Sequence, residues 1–266
     1  MNKLGPGGQV RRDLKKKYNM FSVPIFHVSL EDCISEIDAM RDHIISLRDN
    51  FNPNDIINGK SYKDDHRCFP THIREQHGIA DTDNFDSVRH SNLILNNDGE
   101  TYSGFQTDYL NEKEQPTQNF IKAIVPSIYD ILTNYHLQQK SQIYFKGIWG
   151  NINYSGGTIA DHNHPGIHFA GVVYLKVPEG SGSLVLKHPD PIIKYSEFYS
   201  TPFKNSNEYN STIYEILPKE YTMVLFPAHI MHSVMANKTD EERISVAFNL
   251  NVIKDFRKYY NERVKK

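Results

Sequence analysis

The sequence predicts a mainly β fold with flanking helices, in which two sheets close on each other as a jelly roll. Two patterns in the chain predict it. From Gln142 onward, eight short strand-like runs follow one another, among them "IYFKGIWGNINY", "HFAGVVYLKV", "YTMVLF" and "RISVAFNLNVI". Gly, Pro, Asn and Asp punctuate them and no helical period intervenes, which is the signature of a sandwich or roll. Before Gln142, apolar residues twice recur at helical spacing. A chain of 266 residues is also long enough to bury a sizeable core.

Residues 1–19 form a basic tail carrying Arg11, Arg12, Lys15, Lys16 and Lys17; short basic tails of this kind are solvated and mobile. Met20 to Leu30 reads as an extended segment. Ser29 with Asp32 resembles a capping box. Ile34, Ile37, Met40, Ile44 and Leu47 then predict a helix over 30–50 that covers one face of a sheet. Residues 51–113 are polar and irregular, with a hairpin expected to turn at Asp98-Gly99. His66, His72, His77 and His90 lie there at spacings that match no metal template. A second helix is expected over 117–135, with Phe120, Ile121, Ile124, Ile128, Ile131 and Leu132 on one stripe. Pro126 inside it must kink the helix or start a new first turn. Within the β region, the long gap from Pro189 to Asn210 has the length of a lid or binding loop. Residues 254–266 form a second basic tail. The whole reads as one integrated domain, with elements in 20–141 packed on a core spanning 142–253.

Composition narrows the function. Thirty basic and 32 acidic residues leave a net charge of −2, so no overall field draws in nucleic acid or an anionic membrane. Cys33 and Cys68 alone do not make a disulfide framework, which points to a reducing, cytoplasmic setting. No apolar run has the length of a membrane span, and the N-terminus lacks the apolar core of a signal peptide. Homo-oligomerisation stays open.

The stretch "DHNHPGIHFAGVVYL", Asp161 to Leu175, carries the chemistry. In a strand, residues two apart share a face, so His162 and His164 project together as a bidentate metal pair. His232 in "FPAHIMHSV" is the best third ligand, because strands two and seven of a roll run side by side. His229 follows Pro227-Ala228 and belongs to the turn; His168 lies beyond the Pro165-Gly166 break. On the last strand, Arg243, Ser245, Ala247 and Asn249 share a face. Arg243 with Ser245 offers a guanidinium fork and a hydroxyl, suited to the far carboxylate of a small diacid.

From Ile143 to Val252 the chain resembles the 2-oxoglutarate and Fe(II)-dependent oxygenases with the pattern W-x-N, H-x-H-P, G-x-x-Y-L, FP, H-x-V and R-I-S-x-x-F-N. The resemblance is carried by "WGNINYSGGTIADHNHPGIHFAGVVYLK" and "FPAHIMHSVMANKTDEERISVAFN". It implies a double-stranded β-helix, cupin-like in build. It also implies Fe(II) at His162, His164 and His232, 2-oxoglutarate anchored by Arg243 and Ser245, and O2 as oxidant. Tyr174 corresponds to a tyrosine that touches the same carboxylate in related prolyl hydroxylases. Asn151 and Tyr154, on the strand leading in, are candidates to line the cosubstrate pocket. The implied reaction is hydroxylation of an unidentified substrate with release of succinate and CO2.

One departure stands out. The superfamily's carboxylate ligand is replaced by His164, so the metal keeps its full double charge. Three histidines also suit Zn2+ and Cu2+; in a second arrangement only His162 and His232 bind, and His164 supports them from behind. Two alternatives follow: a cupin-like metal-binding protein or isomerase that uses no 2-oxoglutarate, and a degenerate metal-free roll that binds sugar or protein.

Overall fold

The structure, a computed structural model, describes residues 23–50, 93–95, 102–107, 109–133, 135, 141–189 and 211–253. In chain order the described elements are β1 (Phe26–Ser29), α1 (Ile34–Asp49), β2 (Leu93–Leu95), β3 (Tyr102–Gln106), α2 (Gln115–Thr133), β4 (Gln142–Asn153), β5 (Ile159–His162), β6 (Phe169–Lys176), β7 (Leu184–Lys187), β8 (Ile213–Ile216), β9 (Thr222–Pro227), β10 (His232–Val234) and β11 (Arg243–Ile253). The strands form a seven-stranded sheet, β1-β9-β6-β11-β4-β3-β2, and a four-stranded sheet, β5-β10-β7-β8. From β4 onward successive strands alternate between the large and the small sheet, except that β7 and β8 both belong to the small one, which winds the two into a double-stranded β-helix. The expected mainly β roll with flanking helices is what forms.

Why the large sheet sits in the middle follows from β11. Ile244, Val246, Phe248 and Leu250 are fully or almost fully buried and join Ile148, Ile152, Val173 and Leu225 in a core shared with the helices. α1 contributes Ile37, Met40 and Ile44; α2 contributes Phe120, Ile124, Ile128 and Leu132. Each such side chain removed from water contributes about 1.5–3 kcal/mol. The opposite face of the large sheet meets the small one through Ala170, Tyr174, Leu186, Ile216, Val224 and Phe226. The alternate residues of β11, beginning with Arg243, therefore lie between the sheets, inside the roll.

The local expectations fare unevenly. The extended segment becomes β1, paired along β9 from Phe26↔Leu225 to Ser29↔Thr222. The first helix forms one turn later than expected, after a 3-10 turn over Glu31–Cys33. The capping box at Ser29 and Asp32 is not made: Ser29 is held in β1 and its Oγ only accepts a 3.4 Å bond from the Glu31 N–H. α2 runs continuously through Pro126, with the predicted stripe buried except for Ile121, which is half-buried. The hairpin is present, with Leu93 opposite Phe105 and Ile94 opposite Gly104; its expected turn at Asp98-Gly99 lies outside the described residues. So do both tails, the gap from Pro189 to Asn210 except Pro189 itself, Cys68, and His66, His72, His77 and His90. No helix among the described residues is long and apolar enough to cross a membrane.

Candidate metal and diacid site

β5 and β10 are antiparallel neighbours, and their register sets His162 directly opposite His232. The strand argument for His164 fails in its detail. β5 ends at His162, and His164 lies in the following turn, where its N–H donates to the Ala228 carbonyl at 3.0 Å. The three rings nonetheless converge. Ring centres are 4.2 Å apart for His162 and His232, and 5.1 Å for each pair involving His164. One ligand nitrogen from each ring lies within 4.8 Å of the others.

The tautomers are prepared for a cation. His162 Nδ1 lies 2.8 Å from the Ala160 carbonyl, and His232 Nδ1 lies 2.8 Å from the Ile230 carbonyl. A carbonyl only accepts, so each Nδ1 carries the proton and leaves its Nε2 with a lone pair. His164 Nε2 is 3.3 Å from His232 Nε2. Two imidazole nitrogens bound to one ion at about 2.1 Å are about 3.0–3.4 Å apart for octahedral or tetrahedral angles, so the spacing fits shared coordination. Burial, helped by the proximity of His162, pushes His232 down to about 4, which keeps this ring neutral near pH 7. The other two histidines singled out in the sequence do different work. His229 is exposed in the turn after β9. His168 Nδ1 accepts the Val252 N–H at 3.0 Å and so ties a loop to β11.

A cavity of about 480 Å³ opens between the sheets, lined by all three histidines and by Arg243, Ser245, Tyr174 and Asn151. Arg243 is 2 % exposed. Its Nη1 donates to the Ser181 and Gly182 carbonyls at 2.9 and 3.0 Å, and its Nη2 to Asn153 Oδ1 at 2.9 Å. None of these partners is an anion. Nε is buried with no hydrogen-bond partner among the described residues. A buried cation without a counter-charge is costly, and an anion entering the cavity would relieve that cost. Ser245 pairs across to Tyr174 on one side and Asn151 on the other, which groups the three polar side chains beside it. Burial pushes the Tyr174 phenol up to about 12, against a smaller opposing effect of Arg243, so it remains a donor.

Tyr154 is placed differently from the expectation. It is absent from the cavity lining and packs instead against the helix-side core, beside Arg48 and Glu242. Period-two alternation contains the reason: Trp149, Asn151 and Asn153 share one face, and position 154 is out of phase with them. The residue in phase, Asn153, holds Arg243 and was missed. So were the Ser181 and Gly182 carbonyls and Asn237, whose amide donates to the Asn153 carbonyl at 3.1 Å and the Glu241 carbonyl at 2.7 Å.

Comparison with known proteins agrees with this geometry. Residues 147–249, less than half of the chain but the part that holds Arg243 and the histidines, match the family described as "Putative 2OG-Fe(II) oxygenase". No curated protein sequence matches. Among solved structures, the non-heme alpha ketoglutarate dependent epimerase SnoN from nogalamycin biosynthesis is similar over 86 % of this chain and 76 % of its own, at 13 % identity and a TM-score of 0.52. The same epimerase in complex with Fe3+, alpha ketoglutarate and nogalamycin RO gives 86 %, 78 %, 12 % and 0.50. A Pseudomonas putida prolyl-4-hydroxylase is similar over 86 % of this chain and 93 % of its own, at 9 % identity and 0.46. At these identities the two epimerase structures show a shared fold and nothing finer. Over residues 147–249 the chain is similar to a family of 2-oxoglutarate/Fe(II) oxygenases, oxidoreductases whose cofactors are Fe(II), 2-oxoglutarate and O2.

Proposed function

We propose, from the premise that residues 147–249 form a 2-oxoglutarate/Fe(II)-dependent oxygenase core, that the chain hydroxylates an organic substrate and releases succinate and CO2. His162, His164 and His232 hold the iron, and Arg243 with Ser245, Tyr174 and Asn151 receives the far carboxylate of 2-oxoglutarate. The observation that carries this reading is the orphaned Nε of the buried Arg243, in the same cavity as three convergent imidazoles.

The fit is one of charge as well as shape. Three neutral imidazoles leave a divalent ion with both its charges. A dianionic cosubstrate would set one carboxylate against that ion and the other against Arg243, which lowers the summed charge of ion and guanidinium from +3 to +1. The iron with O2 would supply the oxidation of a substrate C–H bond, coupled to decarboxylation of the diacid. The chain's own groups do the rest. The Ala160 and Ile230 carbonyls fix ring orientation, Asn153 and the 181–182 carbonyls aim the guanidinium, and the Tyr174 phenol donates to the bound carboxylate. Apolar walls from Val172, Leu184 and Phe226 keep water out. A cupin-like metal protein or isomerase without 2-oxoglutarate would have no use for that unpartnered cation.

Anaerobic titration with Fe(II) and 2-oxoglutarate tests the reading. The expected result is a metal-to-ligand charge-transfer band, followed on admission of O2 by succinate. His162→Ala and His232→Ala abolish both. Arg243→Ala weakens 2-oxoglutarate by about 10- to 100-fold, the worth of a charged hydrogen-bonded pair. If Arg243→Ala leaves that affinity and turnover intact, the oxygenase reading is wrong.

A further inference from the structure

The cavity extends past the histidines, and its far wing has a distinct chemistry. Along β11 the cavity-facing residues run Arg243, Ser245, Ala247, Asn249. Trp149 stands opposite Ala247 in the register and its ring centre lies 6.4 Å from that of His164, so the histidines sit at this level. The diacid site occupies the Arg243 side. Asn249 lies on the other side of the histidine level, beyond the space a diacid chelated there would take.

Asn249 is 4 % exposed, and its Oδ1 is buried with no hydrogen-bond partner among the described residues. Opposite it in the register is Gly147, where a Cβ would come within 2.7 Å of the Tyr109 ring. The absent side chain lets Tyr109 lie over β4 against Trp149, ring centres 5.9 Å apart and tilted by 32°. The Thr107 N–H to Gly150 carbonyl and Leu110 N–H to Ile148 carbonyl bonds, at 3.0 and 2.8 Å, pin the segment that carries Tyr109. The rest of the wing, including Gln106, Asn163 and Ile167, holds no charged side chain among the described residues. The nearest acid in the lining, Asp161, is paired with Lys187.

We propose that this wing is the prime-substrate subsite and that it selects an uncharged molecule with a flat apolar body, which stacks on Trp149 and Tyr109 and donates an N–H or O–H to Asn249 Oδ1. The inference rests on the oxygenase reading for the word substrate; the binding chemistry itself does not. A carboxylate or an ammonium group placed here meets no counter-charge and loses its hydration. A donor of neutral charge satisfies Asn249 Oδ1, which has no partner among the described residues. The apolar faces of the two rings account for affinity.

Trp149 is the chain's single tryptophan, so its emission reports on the wing directly. The full chain, with Mn(II) and 2-oxoglutarate under nitrogen, is titrated with benzamide, N,N-dimethylbenzamide, benzoate and benzylamine. Benzamide is expected to give a saturable change in Trp149 emission. The dimethylated amide, which has no donor, and benzoate bind about fivefold more weakly or worse. Asn249→Ser weakens benzamide by a similar factor, and Asn249→Asp reverses the order so that benzylammonium binds best. Calorimetric affinity for 2-oxoglutarate stays as in the wild type in both variants. Equal binding of benzamide and its dimethylated form, benzoate binding as well as benzamide, no effect of Asn249→Ser, or no Trp149 response each overturns the assignment. Loss of the 2-oxoglutarate heat in the wild-type chain would instead overturn the oxygenase reading and leave the benzamide series to be judged on its own.

Discussion

On the proposed reading His164 takes the place where the wider superfamily uses a carboxylate, and its Nε2 lies 3.3 Å from that of His232. If it is a ligand, His164→Asp exchanges one neutral donor for an anionic one at the same spot. The variant is expected to keep Fe(II) and part of the turnover, because the site's charge falls by one without loss of a ligand. Metal content and succinate release check this; loss of metal with retention of fold would mean that the ring, not merely a donor, is required. Tyr174 gives a second prediction at the same scale. Its folded value near 12 lies above the ordinary 10, so its contribution is whole below pH 10 and is lost as pH rises through 12. The shift of about two units corresponds to about 2–3 kcal/mol. Tyr174→Phe is therefore expected to flatten the fall of stability between pH 10 and 12, as read by denaturant midpoints across that range. An unchanged slope would show that the phenol is not held neutral by burial.

The turn between β6 and β7 shows what the sequence could and could not disclose. Short apolar runs punctuated by Gly, Pro, Asn and Asp placed β4, β6, β9 and β11, of which β6 and β9 are buried on both faces. Period two then set Arg243 and Ser245 on one face of the last strand and His162 beside His164. The carbonyls that aim Arg243 were not legible, since Ser181 and Gly182 meet residue 243 only through the turn's backbone path. A carbonyl has no side-chain identity to read. The same limit hid the His164 turn and the unmade cap at Ser29, where pairing with β9 outcompetes a local signal. Gly182 has φ +85, and a Cβ there would run into the Met235 carbonyl. Gly182→Ala must move the turn, at a cost of about 1–3 kcal/mol. It is expected to lower the unfolding midpoint and to weaken 2-oxoglutarate more than Fe(II), because Arg243 donates two hydrogen bonds to this turn whereas the clash at Met235 lies three residues from His232. Equal losses for metal and diacid would contradict that division.

At the scale of the whole molecule, the two halves of the site belong to different sheets. His162 and His232 stand on the small sheet and Arg243 on the large one. An ion held by the histidines and a diacid reaching from that ion to Arg243 would tie the sheets together across the cavity, while the helix-side core is untouched. Ligands that bind only the folded chain stabilise it by mass action, about 2.7 kcal/mol at a hundredfold excess over Kd. For a chain of this size that corresponds to about 5–10 °C in Tm. The tie makes the increments unequal among variants. In the wild type, Fe(II) raises Tm, and 2-oxoglutarate adds a second increment that is large only when the metal is present, because the diacid alone lacks half its contacts. In Arg243→Gln the metal increment persists and the diacid increment shrinks. In His162→Ala both vanish. Anaerobic thermal melts of the three chains with each ligand singly and together supply the comparison. A 2-oxoglutarate increment that survives Arg243→Gln at full size would place the diacid elsewhere and leave the sheets joined by their apolar contacts alone.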